Sequence, residues 1–71
     1  SALVAEDHGL ADIRKIATDA RPFLAKNGLL AVEHGWEQGK AVRKVFTELD
    51  YKDVETRLDY AGRERITLAR K

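Results

Sequence analysis

Apolar side chains recur at three- and four-residue steps over Leu10, Ile13, Ile16, Ala17, Ala20 and Leu24, the stripe of an amphipathic helix. Asp12, Arg14, Lys15 and Asp19 take its other face. Pro22 falls inside the pattern, where it removes a backbone donor and disfavours helical geometry at Arg21, so a kink or a restarted turn is predicted there. Phe23 and Leu24 are expected to pack next, and Asn27-Gly28 suits the left-handed residue that closes a helix. Ahead of the stripe, residues 1–9 read as a lead-in loop that breaks at Gly9.

From Gly28 to Gly35 the pattern changes. Leu29, Leu30, Ala31 and Val32 are consecutive apolar residues followed by Glu33, which is how a strand reads when both faces of its sheet are covered. Leu29–Glu33 is therefore expected to be a buried, parallel strand. In open sheets of this kind ligands sit beyond the carboxyl ends of the strands, which places Glu33, His34 and Gly35 at the working edge. A second stripe, Ala41, Val42, Val45, Phe46 and Leu49, predicts a helix from about Gln38 to Leu49 with Lys40, Arg43, Lys44 and Glu48 in water, ended by Asp50-Tyr51. Val54, Thr56 and Leu58 then alternate with Glu55, Arg57 and Asp59, the mark of a strand covered on one face and lying near a sheet edge. Ile66 and Leu68 alternate with Thr67 and Ala69 in a last strand. The turn between, Tyr60 to Glu64, is too short for a parallel return, so the final pair is an antiparallel hairpin. The predicted class is α/β, in the order helix, strand, helix, strand, strand.

Composition narrows this picture without redirecting it. The 71 residues are 44% hydrophobic and 35% charged, which suits one small globular domain of marginal stability. A formal net charge of +1 gives no independent pointer to nucleic acid or an anionic membrane. With no cysteine, disulfides and thiolate metal sites are excluded. No apolar run approaches a membrane span, and six charges in the first 20 residues break any signal-peptide core, so a cytoplasmic location is expected. The absence of methionine, even at position 1, predicts a piece of a longer chain: 1–71 as one incomplete domain.

A strand, a crossover helix and an antiparallel hairpin in this order resemble the carboxyl-terminal third of a Rossmann-like class I methyltransferase domain. Glu33-His34-Gly35-Trp36-Glu37-Gln38-Gly39 followed by Ala41-Val42-Arg43 resembles the glutamate-histidine-glycine segment of the release-factor glutamine methyltransferases, the HemK/PrmC type. Asp53-Val54-Glu55-Thr56 with Asp59-Tyr60-Ala61-Gly62-Arg63-Glu64-Arg65 resembles that family's terminal hairpin, and Ala2-Leu3-Val4-Ala5 with Gly9-Leu10-Ala11-Asp12-Ile13 its segment after the substrate-binding motif. The resemblance implies that Leu29–Glu33 is strand five, Val54–Leu58 strand six and Arg65–Ala69 strand seven, the last antiparallel between the other two. It further implies a parent enzyme that moves a methyl group from S-adenosylmethionine to the side-chain amide nitrogen of a glutamine, the one in the Gly-Gly-Gln tip of peptide chain release factors. The family's glycine-rich cofactor loop, its acidic ribose-binding residue and its Asn-Pro-Pro-Tyr motif are absent from these residues. Catalytic and cofactor-binding residues are thus expected to lie outside this chain, which alone is expected to be inactive scaffold. Asp50 stands where the family pattern leads one to expect glycine.

Each candidate residue has a functional and a plainer reading. Glu33, His34 and Trp36 are the substrate-side candidates. Alternatively Glu33 caps the next helix or pairs with an arginine, His34 is a satisfied loop residue, and Trp36 packs as a staple. His8 and His34 with Glu6, Asp7 or Glu33 match no metal-ligand spacing, so no metal is expected. Arg57, Arg63, Arg65, Arg70 and Lys71 make the last third basic, but interleaved Glu55, Asp59 and Glu64 favour a solvated face over a phosphate track, with Arg65 pairing Asp59. The other class of function is a free-standing module that binds protein or nucleic acid. Expected partners are the release factor, through the parent, and a second copy of the chain through an unpaired strand edge; no membrane and no directly bound nucleic acid are expected.

Overall fold

A computed structural model of the protein describes residues 6–71, with side chains from Gly9 onward. The elements are α1 (Glu6–Ala20), a 3-10 turn (Arg21–Phe23), β1 (Leu29–Glu33), a 3-10 turn (Trp36–Gln38), α2 (Gly39–Glu48), β2 (Lys52–Leu58) and β3 (Glu64–Arg70). Helix α1 starts earlier than its apolar stripe: residues 6–9, expected as loop, are helical, and Gly9 is buried within the helix rather than ending it. The helical cost of a glycine, about 1 kcal/mol, is overridden there by packing. The segment 1–5, with the Ala2-Leu3-Val4-Ala5 motif, lies outside the described residues.

Pro22 acts as expected. The α-helix stops at Ala20 and continues as a 3-10 turn with the proline in its first positions. Phe23, however, does not pack: it is 90% exposed. The tighter 3-10 rotation turns it outward while Leu24, extended at φ −86°, ψ 137°, folds back against the core. Asn27 then adopts φ 66°, and the chain enters β1.

The three strands form one sheet in the order β1-β3-β2, with β3 antiparallel to both neighbours. β1 and β2 thus run parallel to one another without touching, as the resemblance implies for strands five and six. Residues opposite one another share a face, so Leu30, Val32, Thr67 and Ala69 look toward the helices and Leu29, Ala31, Leu68 and Ile66 look away. Ile13 and Ala17 of α1, Val42, Val45 and Phe46 of α2, Val32, Ala69 and Tyr51 make up a single core on the first face. The expectation that β1 is buried on both faces therefore fails: only Val32 of its five residues is buried, and Leu29 remains 48% exposed. Its sole sheet neighbour among the described residues is antiparallel β3. The apolar run is a strand whose core-facing side alone is packed among the described residues.

The end of α2 is a complete Schellman closure. Tyr51 N–H donates to Phe46 O at 3.0 Å and Asp50 N–H to Thr47 O at 3.1 Å, with Asp50 at φ 66°. Phe46 and Tyr51 also bring their rings together at a tilt of 42°, centroids 5.5 Å apart. Tyr51 is buried, its hydroxyl donates to Ala17 O at 2.6 Å, and the Arg21 guanidinium lies 5.1 Å above its ring. One residue after α2 thereby ties both helices and the 3-10 turn together. Arg14 of α1 pairs with Glu48 of α2, holding that carboxyl below its ordinary pKa.

Candidate functional site at the carboxyl end of β1

The residues from Glu33 to Gly39 make a turn that closes on itself. Gly35 N–H donates to Gln38 Oε1 at 2.8 Å, and Gln38 N–H returns to Gly35 O at 2.9 Å. The reciprocal arrangement satisfies donors that a helix start leaves without intrahelical partners. Gly39 opens α2, and a Cβ there would lie 1.9 Å from Glu64 Oε1 and 2.9 Å from Glu64 Cδ, so a side chain at this position would displace the Glu64 carboxylate. The Glu64 carboxylate lies over Gly39 at the first turn of α2, where it also accepts from Arg43 Nη1 at 3.3 Å. Glu64 reaches this side because β3 carries a register shift: Arg57 faces Ile66 but Leu58 faces Glu64.

The three sequence candidates separate. His34 is 1% exposed; its Nδ1 lies 2.8 Å from Gly35 O and its Nε2 2.7 Å from Thr67 Oγ1, so both ring nitrogens are occupied and neither faces an approaching substrate or ion. The plainer reading of His34 describes it. Glu33 is exposed at the last position of β1 and has no ion-pair or hydrogen-bonding partner for its carboxylate among the described residues, so the helix-capping and arginine-pairing expectation is not met. Trp36 is 54% exposed and is not a core staple. The short 3-10 turn carries it past the edge of the sheet, so its ring stays largely in water. Glu33 and Trp36 thus flank the turn outwardly while His34 and Gln38 hold it from within.

The opposite strands bring more to this end. Leu58 and Tyr60, at the carboxyl end of β2 and in the turn beyond it, are 63% and fully exposed, which periodicity did not single out because both sit in a predicted half-covered strand and its turn. Asp59 Oδ1 accepts from Ala61 N–H at 2.8 Å and Arg63 N–H at 3.0 Å, and Oδ2 from Arg65 Nε at 3.3 Å. The Arg63 amide first, with the Ala61 amide and Arg65 behind it, holds the Asp59 carboxyl below the ordinary aspartate range. The expected Arg65–Asp59 pair is present. Most other cations of the last third are also committed: Arg57 to Glu55, Arg70 to Asn27 O, and Lys71 to the carbonyls of Arg21 and Leu24. They hold the β1 entrance and the hairpin rather than forming an open basic track.

Among the described residues no cluster of three metal-ligating side chains forms, and the side chains of Glu6, Asp7 and His8 lie outside them. No described helix is long and apolar enough to cross a membrane.

Comparison with known proteins decides what this turn belongs to. No protein-family model matches the chain. The release factor glutamine methyltransferase of Salmonella typhimurium is 53% identical over 70 residues, 99% of this chain and 25% of its own length. This chain is homologous to a segment of the release factor glutamine methyltransferases. The Vibrio cholerae enzyme of that name is 53% identical over 68 residues, 96% of the chain and 24% of the relative, and that of Escherichia coli 51% over 70 residues, 99% and 25%. The chain thus spans about a quarter of the curated methyltransferases it matches. The suspected resemblance to this methyltransferase family is confirmed at this level, and the mixed helix-and-strand architecture is consistent with an α/β part of such an enzyme.

Proposed function

We propose that the chain is the closing part of a Rossmann-like, class I methyltransferase domain, and that its parent carries a methyl group from S-adenosylmethionine to the glutamine amide of the Gly-Gly-Gln tip of a peptide chain release factor. The observation that carries this reading is identity near 50% across almost every residue of the chain to relatives bearing that name, supported by a β1-β3-β2 order with the antiparallel strand in the middle.

The residues present do not fit the methyl donor. The one glycine at the helix start, Gly39, is filled by the Glu64 carboxylate, and the turn before it is occupied by His34 and Gln38. A cofactor cradle needs open backbone at such a turn. The chain's part is therefore scaffold: it sets the end of strand five and carries Glu33 and Trp36 on the substrate side. The free edge of β1 and the uncovered face of Leu29, Ala31, Ile66 and Leu68 receive the rest of the parent domain. In the chain alone, the same edge pairs with a second copy.

The test is a graft. Residues 1–71 replace the matched segment of the Salmonella typhimurium enzyme, and methyl transfer from labelled S-adenosylmethionine to a purified release factor is followed. The graft is expected to methylate the factor and the 71-residue chain alone to transfer nothing. A folded graft without transfer overturns the proposed role, and transfer by the chain alone overturns the scaffold assignment.

A further inference from the structure

A line of side chains runs from α2 across β2 and β3 and ends at the turn after β1. Arg43 Nη1 donates to Thr56 Oγ1 at 2.7 Å. Thr56 Oγ1 and Thr67 Oγ1 are 2.7 Å apart. Thr67 Oγ1 is 2.7 Å from His34 Nε2, and His34 Nδ1 is 2.8 Å from Gly35 O. His34 and Thr67 are 1% and 0% exposed, so water does not complete these bonds for them.

The two ends of the line fix its sense. A guanidinium has donors and no acceptor, and a carbonyl oxygen accepts only. At the carbonyl end, Nδ1 must carry the proton, since the other tautomer would set a nitrogen lone pair against the oxygen of Gly35. A neutral ring then leaves Nε2 as an acceptor, so Thr67 gives it its hydroxyl proton. Thr67 in turn accepts from Thr56, and Thr56 accepts from Arg43. Every proton is used once and every bond points the same way. Buried polar lines of this kind are favourable only when every member is satisfied. The residues involved come from α2, β2, β3 and the end of β1, four places that sequence distance keeps apart.

We propose that Thr56, Thr67 and His34 are positioning residues: together they form a one-directional hydrogen-bond relay from Arg43 that locks the Gly35 turn and so holds Glu33 and Trp36 at the working edge. The last clause rests on the functional reading above; the relay itself does not. Gly35 O is also the acceptor for Gln38 N–H, so the relay and the self-closing turn share one atom. Loosening Thr67 therefore loosens the turn that starts α2.

Nitrogen-15 spectroscopy of the 71-residue chain reads the relay directly. In the unaltered protein His34 is expected as the Nδ1–H tautomer, with Nε2 as the unprotonated, hydrogen-bonded nitrogen. Thr67→Val keeps the shape and removes the donor; it is expected to leave the proton on Nδ1, to move the Nε2 resonance to that of an unprotonated nitrogen without a hydrogen bond, and to speed exchange of the Gln38 amide about tenfold. Thr67→Ser restores the donor and both readouts. Thr56→Val, at the more accessible end of the line, gives the same direction of change should Thr67→Val fail to fold. An Nε2–H tautomer in the unaltered protein overturns the relay, as do valine variants that leave the Nε2 resonance and the exchange unchanged. In the graft, Thr67→Val is expected to lower kcat/KM for the release factor about tenfold, with recovery in Thr67→Ser. Unchanged turnover alongside a changed Nε2 resonance overturns the positioning role. An inactive unaltered graft with the Nδ1–H tautomer present counts against the methyltransferase reading and leaves the relay standing.

Discussion

Asp59 carries more of the β2-β3 turn than its place in a surface hairpin suggests. One oxygen takes two backbone amides and the other an arginine, the arrangement by which an aspartate imitates a backbone turn. Because its folded pKa lies below the ordinary 3.8, the ionised carboxylate contributes stability that is present above the unfolded value and is lost as pH falls through the folded one. Acid unfolding followed by circular dichroism should show that loss beginning below about pH 4. Asp59→Asn is expected to be less stable at neutral pH and to lack that part of the acid dependence. An Asp59→Asn chain with an unchanged acid limb would show that the turn does not depend on the charge. At this scale the sequence indicated the partner, since Arg65 and Asp59 were paired from their spacing, but not the two amides, which only the turn geometry brings into reach.

Among the elements, the joint between α2 and β2 is the most economical. A residue in the left-handed region, two reciprocal end bonds and a ring pair are gathered within Phe46 to Tyr51. Asp50 occupies the position at which glycine lacks the steric penalty of a Cβ, a penalty of about 1–2 kcal/mol for L-residues that aspartate eases by local hydrogen bonding. Asp50→Gly is therefore expected to stabilise the chain by about 0.5–1 kcal/mol and Asp50→Val to destabilise it, as urea unfolding would show. Equal stability of all three would mean the closure is held by Tyr51 alone. Most of this element was visible beforehand: the stripe Val42, Val45 and Phe46 is the buried one, and Asp50 was marked as standing for a glycine. Phe23 and the residues 6–9 were not, for opposite reasons. A 3-10 turn rotates Phe23 off the face that a 3.6-residue period assigns to it, and Gly9, read as a breaker, is sheltered inside the helix it was expected to stop.

Across the molecule, the described residues build a core on one face of the sheet. Burial of Leu29–Glu33 was read from its run of apolar residues, and such a run reads the same whether one face of the strand is covered or two. The candidate site was legible in part: the Glu33–Gly39 motif does form one self-closing turn, whereas the inward placement of His34 required knowing that Thr67 lies across from Val32, a register no local pattern encodes. The chain alone is expected to associate through β1, measured as mass by light scattering during size exclusion. Leu29→Lys or Ala31→Lys, both at exposed positions, should return it to single chains while leaving the core intact. A wild-type chain that stays monomeric at high concentration would exclude pairing through this strand.

The two borders of the sheet are not alike. β2 runs along its side with Asp53 at φ 52°, a break in register after Lys52, and charged residues at most positions, features that discourage a further strand from adding. β1 has none of them. Growth can therefore proceed from one side only, and when two such sides meet antiparallel, both are consumed. The expected product is a closed pair with a two-fold axis, in which the three strands of each copy join one sheet, and its mass should plateau at twice that of the chain however concentrated the solution becomes.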